Sequence, residues 1–354
     1  MRVASATSGC AIPDEGLGSD PMANGEFSYR LRNAVAGGAA MGRAVVRRLR
    51  RGPTLPSWTW SEELFVAAFR GSSTAASRRM DLMGPGRMAA PIARRDRGGL
   101  ETSMVDLAGI RAERYRPKEP PAGTILRFHG GGFVTGSAAT ERRVAAQLAL
   151  ATRCDTYGIT YRLAPRHPYP AAVDDAVTAY RGLLETGADP STTILFGGSA
   201  GAGLALATLL RCRAEELPMP AGAVLLWPYA DFTFSGESIE TYAEVDTLPM
   251  RDLADRWGPA YVGNADPTDP FVSPALADLR GLPPLLVIAG GAESLLSSAE
   301  RIAANAQAAG VDVTLSVYPE KVHGWMILPR LPATLEATAE LTAWIGVRLQ
   351  SKST

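Results

Sequence analysis

The chain is poor in cysteine and histidine, with three of each among its 354 residues. The cysteines are Cys10, Cys154 and Cys212. They are odd in number and widely separated, and no Cys-x-x-Cys pair occurs. This pattern predicts free thiols in a reducing compartment. A chain of this length buries enough surface to need no disulfide or metal staple.

The chain also lacks net charge and long apolar runs. Its 36 basic residues balance its 36 acidic ones, so nothing favours a nucleic-acid partner. No stretch reaches the roughly 18 apolar residues of a membrane span, so we expect no stable membrane insertion. The first thirty residues lack the charged start and apolar core of a secretory signal. We therefore expect a cytoplasmic protein, in which Met22 is an alternative start and residues 1–21 an extension.

From about residue 105, short apolar runs alternate with longer amphipathic ones. This rhythm predicts an α/β fold, with a mostly parallel sheet covered by helices on both faces. The predicted strands are Ile110–Tyr115, Thr124–Phe128, Asp155–Thr160, Thr192–Phe196, Ala221–Leu226, Leu285–Ala289 and Val313–Val317. The predicted helices are Thr140–Thr152, Ala171–Thr186, Ala200–Glu215, Ser294–Ala309 and Leu331–Leu349.

We divide the chain into four parts. Residues 1–104 form an N-terminal extension and helical cap segment, 105–228 and 270–354 form the core, and 229–269 form a cap insertion without a clean strand. Arg127 lies inside an otherwise apolar predicted strand and needs a partner that the sequence does not identify.

The N-terminal part contains two predicted helices. Residues 27–61 hold seven arginines and no acidic residue. Apolar residues recur there at helical spacing; they are Leu31, Val35, Val45, Val46 and Leu49. Such a helix either packs its apolar face on the protein or lies on an anionic membrane. A second, aromatic-rich helix is predicted to begin near Ser61, where it either roofs a site or belongs to the core.

Ser199 is the candidate nucleophile. It lies in Gly197-Gly198-Ser199-Ala200-Gly201, between a predicted strand and a predicted helix. A Gly-x-Ser-x-Gly phrase in that position is typical of a sharp, strained turn that exposes the serine. Because a serine hydroxyl is a poor nucleophile near neutral pH, it requires a neighbouring base.

A glycine-rich loop precedes this serine by seventy positions, in His129-Gly130-Gly131-Gly132-Phe133. Adjacent glycines let backbone N–H groups point into a cleft without side-chain obstruction. We assign the N–H groups of Gly131, Gly132 and Ala200 to an oxyanion hole. His129 and Gly130 are expected to shape the loop.

His323 is the candidate base, because it follows the last predicted strand and precedes the last helix. Glu293 is the candidate acid, thirty residues earlier and also after a strand. It would orient the imidazole and stabilise its protonated form. The alternative for Glu293 is a helix N-terminal residue that interacts with the helix dipole. His167 lies among prolines and is interpreted as part of a rigid turn.

Aromatic and apolar residues near these motifs are candidates for the walls of a substrate pocket. They are Phe133, Val134, Trp58, Trp60, Trp227, Tyr229 and Trp325. They favour an apolar or aromatic substrate.

From about residue 105 to 350 the chain resembles the bacterial hormone-sensitive lipase family of α/β-hydrolases. The shared features are the His129 glycine loop, Tyr161-Arg162-Leu163-Ala164-Pro165, the serine turn, Asp269-Pro270-Phe271-Val272-Ser273-Pro274 and His323. The resemblance implies an α/β-hydrolase fold with a helical cap and no metal or organic cofactor. The family includes carboxylesterases, acetyl-hydrolases and lactone hydrolases.

The chain departs from the usual family pattern at a few positions. Gly198 stands where the family usually has Asp, and Glu293 where it often has Asp. Ser297 and Ser298 stand where many relatives carry Asp, which removes a competitor for the acid role. Arg166 replaces a common Glu. These departures concern substrate choice more than reaction type.

We therefore predict a serine esterase with a Ser199–His323–Glu293 triad, acting on short-chain or small apolar or aromatic esters. One alternative keeps the triad and acts as a lactonase, N-acetyl hydrolase or acyl-transfer cyclase in biosynthesis. Another is a non-catalytic ligand-binding member of the fold. A third is a membrane-surface protein that uses residues 27–61. The expected partner is a small ester or lactone, and a homodimer is possible.

Overall fold

An eight-stranded sheet forms the centre of the molecule. A computed structural model describes residues 21–77 and 99–350, so Cys10 and most of the predicted extension 1–21 lie outside the described residues. The strands are β1 Leu100–Leu107, β2 Ile110–Pro117, β3 Thr124–Phe128, β4 Asp155–Ile159, β5 Thr193–Gly198, β6 Gly222–Leu226, β7 Leu285–Gly290 and β8 Val313–Tyr318. Their order is β1-β2-β4-β3-β5-β6-β7-β8. Both pairings of β2 are antiparallel and all others are parallel. The predicted α/β-hydrolase fold class is confirmed.

Helices cover both faces of this sheet. The long core helices are α3 Arg142–Thr152, α4 Ala171–Glu185, α5 Ala200–Ala214, α9 Leu296–Ala308 and α10 Pro332–Gln350. The larger core cluster packs α4, α5 and α9 on one face, and a second cluster packs α10 on the other. Strands β4, β6 and β7 are buried along their whole length. This double coverage explains their nearly continuous apolar sequences.

Strand β1 was not predicted. Most of its residues are exposed, because it lies at the edge of the sheet and pairs only with β2. Its sequence Leu-Glu-Thr-Ser-Met-Val-Asp-Leu therefore carries little of the apolar pattern that marks a buried strand. Helices α3 and α9 begin two residues later than predicted, after turns that contain Thr140 and Ser294.

The N-terminal part forms two helices, α1 Pro21–Arg51 and α2 Trp60–Ser77. They pack closely at Gly71, where an added Cβ would lie 2.8 Å from the carbonyl oxygen of Ala36. The apolar stripe of α1 does not provide this contact. Its exposed members are Leu31, Val35, Val46 and Leu49. The interpretation that they pack on the protein is wrong, while the membrane-surface hypothesis stays a prediction.

No helix in the ranges 21–77 and 99–350 is both long enough and apolar enough to cross a membrane. The segment 229–269 contains short helices, namely α6 Ser238–Thr241, α7 Met250–Asp252 and α8 Gly258–Val262, with a π-helical turn at Leu253–Trp257. We call this segment the cap insertion. It packs beside the ends of β5, β7 and β8.

Candidate active site

Ser199 occupies a strained turn between β5 and α5. Its backbone has φ +56° and ψ −122°, a conformation that non-glycine residues rarely adopt. The turn requires glycine on both sides. A Cβ on Gly197 would lie 2.0 Å from the carbonyl oxygen of Gly201, and one on Gly201 would lie 2.2 Å from that of Phe128.

Neighbouring backbone fixes this turn. The Ser199 N–H donates to the carbonyl of Leu226 at 2.9 Å, and the Ser199 carbonyl accepts from the N–H of Tyr229 at 3.1 Å. The residue itself is partly exposed. The strained turn therefore places an accessible hydroxyl at the carboxyl end of a central strand. Open α/β sheets bind ligands at this end of their strands.

The glycine loop lies directly beside the serine. A Cβ on Gly130 would lie 3.6 Å from the Cβ of Ser199. Gly131 has φ +121°, and a Cβ there would lie 2.2 Å from the carbonyl oxygen of Thr135. The N–H groups of Gly131, Gly132 and Ala200 make no hydrogen bond to another described residue. They are free to bind an oxyanion.

The partner of Arg127 is Glu141, which the sequence analysis missed. The buried guanidinium pairs with Oε2 of Glu141, while Oε1 accepts the N–H of Gly130 at 3.0 Å. One carboxylate therefore joins the central strand to the start of the glycine loop. The only sequence signal was the charge inside an apolar strand, because Glu141 itself ends a short 3-10 helix, Ala138–Glu141, that no motif marks.

His129 supports the same loop. Its ring is stacked on Tyr161 with centroids 4.1 Å apart, and the Tyr161 hydroxyl donates to the His129 carbonyl at 2.7 Å. Burial lowers the pKa of His129 to about 4, so the ring is neutral near pH 7. His167, by contrast, is exposed.

His323 and Glu293 lie in adjacent loops after β8 and β7. The N–H of Ala292 donates to the carbonyl of Lys321 at 2.9 Å, which holds these loops side by side. Burial lowers the pKa of His323 to about 3, so its imidazole is neutral and able to accept a proton. Burial and the nearby charge of Asp246 raise the pKa of Glu293, against a smaller effect of the Gly290 N–H.

Ser199, Glu293 and His323 follow the carboxyl ends of β5, β7 and β8, which run parallel, so the three residues lie at the same edge of the sheet. The ring of Trp227 lies between the serine turn and the His323 loop. Its centroid is 6.0 Å from that of the His323 ring, and its nearest atom is 3.3 Å from the position of a Cβ on Gly198. Among the described residues, neither carboxylate oxygen of Glu293 nor Nδ1 of His323 has a hydrogen-bond partner. Catalytic hydrogen bonds are often long in unliganded enzymes and tighten with substrate.

Asp246 is a second buried acid at this edge, and the sequence analysis did not identify it. It is fully buried in the cap insertion. Its carboxylate accepts the N–H of Ser294, next to the candidate acid, and the N–H of His323 itself. The surrounding Glu-Val-Asp-Thr sequence contains no recognisable motif, so only the fold brings it to the site.

The candidate pocket residues have different environments. Phe133, Val134, Tyr229 and Trp325 are almost completely buried in the core packing. Trp58 is buried and donates its indole N–H to the carbonyl of Glu320 at 2.7 Å, beside the His323 loop. Trp60 is 44% exposed and lies under the guanidinium of Arg48. Their contact with a substrate stays a prediction.

Gly198 has a structural reason. An added Cβ would lie 3.3 Å from Nε1 and 3.6 Å from two carbons of the Trp227 ring, so a side chain there would contact the indole and require a small shift of it. In the parts of the chain that the structure describes, no group of three or more His, Cys, Asp or Glu side chains is arranged to bind a metal ion.

Comparisons with known proteins agree with this fold. The sequence profile of a family described as having the alpha/beta hydrolase fold matches residues 125–327. An acetyl-hydrolase of Streptomyces hygroscopicus is 40% identical over 226 residues, which are 63% of this chain and 74% of that protein. An esterase of Acinetobacter venetianus is 37% identical over 215 residues, or 60% of this chain and 71% of that protein. The crystal structure of an esterase from the bacterial hormone-sensitive lipase family superposes with a TM-score of 0.69 at 33% identity, covering 88% of this chain and 98% of that one.

Proposed function

We infer that this chain, which belongs to the bacterial hormone-sensitive lipase family of α/β-hydrolases and is a carboxylic ester hydrolase, works through an acyl-enzyme formed on Ser199. The observation that carries this proposal is the strained, partly exposed serine beside a glycine loop with free N–H groups. A loop that served only to connect β5 and α5 would not need this arrangement.

The proposed reaction has two halves. His323 takes the proton of the Ser199 hydroxyl as its oxygen attacks the ester carbonyl, and the N–H groups of the oxyanion hole bind the resulting oxyanion. His323 then protonates the leaving alcohol. Water hydrolyses the acyl-enzyme by the same steps in reverse, which regenerates the serine and releases the acid.

Glu293 is proposed to hold the His323 ring and to stabilise its protonated form. The support is its burial on the adjacent loop, which keeps solvent away from the pair. Glu293→Gln should lower kcat by about a hundredfold to ten-thousandfold, as expected when the acid of such a triad is neutralised.

We further propose short acyl groups as the preferred substrates. Two indoles fill the space around the nucleophile: Trp227 lies against Gly198, and Trp257 lies against Gly132. The relative from Streptomyces hygroscopicus is named an acetyl-hydrolase, which agrees with a small acyl site. Acetyl and butyryl esters of p-nitrophenol should therefore be cleaved faster than octanoyl esters.

The test is the burst release of p-nitrophenol from a short-chain ester, with labelling by a fluorophosphonate probe. Ser199→Ala should abolish both signals. Ser103→Ala, at an exposed position on the edge strand β1, serves as the matched control and should keep both. Turnover retained by Ser199→Ala would remove Ser199 from its role, and a wild-type protein inert to both reagents would indicate a non-catalytic binding protein.

A further inference from the structure

The cap insertion sends one carboxylate into the space between the acid and base loops. Asp246 has no exposed surface and accepts backbone N–H groups from three residues. Thr247 donates at 2.7 Å and His323 at 2.9 Å, both to Oδ1. Ser294 donates at 2.8 Å to Oδ2. Two of these donors belong to the loops that carry the candidate base and acid.

The neighbouring residue adds a second tie. The Thr247 hydroxyl donates to the carbonyl of His323 at 2.9 Å. The backbone of His323 is therefore held on both sides, with its N–H bound by Asp246 and its carbonyl bound by Thr247. Elsewhere along the insertion, Ser238 and Ser297 exchange hydrogen bonds, which fixes the start of α9 to the same segment.

We propose that Asp246 is a positioning residue for the esterase reaction, which fixes the His323 and Glu293 loops against each other and sets the charge environment of the acid. This proposal rests on the proposed function. Ser294 is adjacent to Glu293, so a single carboxylate sets the separation of the two loops. A displacement of about 1 Å at a reacting group can cost a hundredfold in rate, which makes such a tie catalytically important.

The charge of Asp246 acts on groups from several elements. It faces Glu293 after β7 and His323 after β8, and it is shielded from solvent by the cap. Arg70 of α2 donates to the Asp246 carbonyl at 3.3 Å and pairs with the exposed Glu244 at 3.4 Å. The Lys321–Glu62 pair at 2.5 Å lies on the far side of the His323 loop.

The two buried acids have unequal environments. Three N–H donors favour the charged form of Asp246, although burial raises its pKa. Glu293 has no such set of donors, and burial together with the charge of Asp246 raises its pKa. Removal of the Asp246 charge should therefore let Glu293 ionise at lower pH.

Asp246→Asn tests both contributions with little change of shape. The amide oxygen can still accept at the Oδ1 position, but its NH₂ group cannot accept from Ser294. We expect kcat to fall by about tenfold or more, with KM changed by less than about threefold, because the loss falls on the transition state. Because the charge of Asp246 raises the pKa of Glu293, the acid limb of the kcat/KM profile should move to lower pH in this variant, which a purely structural role would not produce.

Two further variants complete the experiment. Asp231→Asn is the matched control: it removes another buried carboxylate of the cap insertion, one that pairs with Arg301 away from His323. It should leave kcat per folded molecule and the acid limb unchanged. Thr247→Val removes the tie to the His323 carbonyl and keeps the Asp246 charge, so it should lower kcat without moving the acid limb.

The results separate this proposal from the proposed function. Absence of a burst in the wild-type protein would refute the proposed function itself. A wild-type burst together with an Asp246→Asn variant that keeps kcat, or keeps the acid limb in place, would overturn only the role of Asp246. If Asp246→Asn does not fold, Thr247→Val decides: a lower kcat at unchanged melting temperature supports the proposal, and wild-type kcat overturns it.

Discussion

Glu141 joins the stability of the central sheet to the shape of the oxyanion loop, and two substitutions separate these effects. Glu141→Gln keeps an acceptor for the Gly130 N–H but leaves the charge of Arg127 buried and unpaired. The Arg127 side chain is 4% exposed and that of Glu141 is 27% exposed. Breaking a fully buried pair costs about 3–5 kcal/mol, so partial exposure of Glu141 places this loss near 2–3 kcal/mol.

Such a loss should lower the melting temperature by about 5–10 °C, at about 2–4 °C per kcal/mol for a large domain. The turnover of Glu141→Gln should stay within about threefold of wild type, because the loop keeps its acceptor. Glu141→Ala also releases Gly130, and the adjacent Gly131 and Gly132 donors lose their alignment. Since one oxyanion donor is worth about a hundredfold to a thousandfold, kcat should fall by up to about a hundredfold.

Scanning calorimetry and p-nitrophenyl butyrate hydrolysis measure the two effects. Asp155→Asn is the matched control, since Asp155 is a buried carboxylate that pairs with Arg114 at 2.6 Å and lies at the start of β4, away from the glycine loop. It should lower stability and leave kcat unchanged. A Glu141→Ala variant with wild-type kcat would show that Glu141 does not shape the loop, and a Glu141→Gln variant of unchanged stability would refute its role as the partner of Arg127.

Two further outcomes follow from the site. Gly198→Asp should reduce kcat/KM by about tenfold or more, because the new side chain displaces Trp227 from the His323 ring. The double variant Gly198→Asp/Trp227→Ala should lose less transition-state stabilisation than the two single variants lose together. Strictly additive losses would contradict the packing argument. The folded-state pKa of His323, about 3, lies below its usual 6.5, so His323 should make the free energy of unfolding fall as pH decreases from about 6.5 to 3. Urea titrations of wild type and His323→Asn between pH 4 and 6 should therefore differ in slope by about 1.4 kcal/mol per pH unit, and identical slopes would show that His323 is not buried in its neutral form.

The sequence predicts the parts of the fold that obey a simple local rule. The buried strands β3 to β7 are short apolar runs, and the glycines around Ser199 are required by the backbone itself. Strand β1 escaped prediction because an exposed edge strand needs no apolar alternation. The exposure of Leu31 and Leu49 on α1 also could not be foreseen, since periodicity identifies a helix face without showing what covers it.

Some residues of the candidate site could be predicted from the sequence and others could not. Ser199, His323 and Glu293 are marked by their position after strands, which the chain order alone reveals. Glu141 and Asp246 are not marked in this way, because each acts by accepting backbone N–H groups from distant loops. Any turn in the chain can supply such an acceptor, and only the assembled structure shows which one does.

The Asp246 and Thr247 contacts have a consequence for how new specificities arise in this protein. The cap insertion is hydrogen-bonded to His323, the proposed base, and to Ser294 beside the proposed acid, so a sequence change in the insertion should shift both loops. A transplanted cap that accepts a larger ester would carry its own anchor points, and a poor fit of those anchors would slow every substrate alike. Substrate preference and turnover rate should therefore change together. Chimaeras that keep Asp246 and Thr247 should have a higher kcat than chimaeras that replace them.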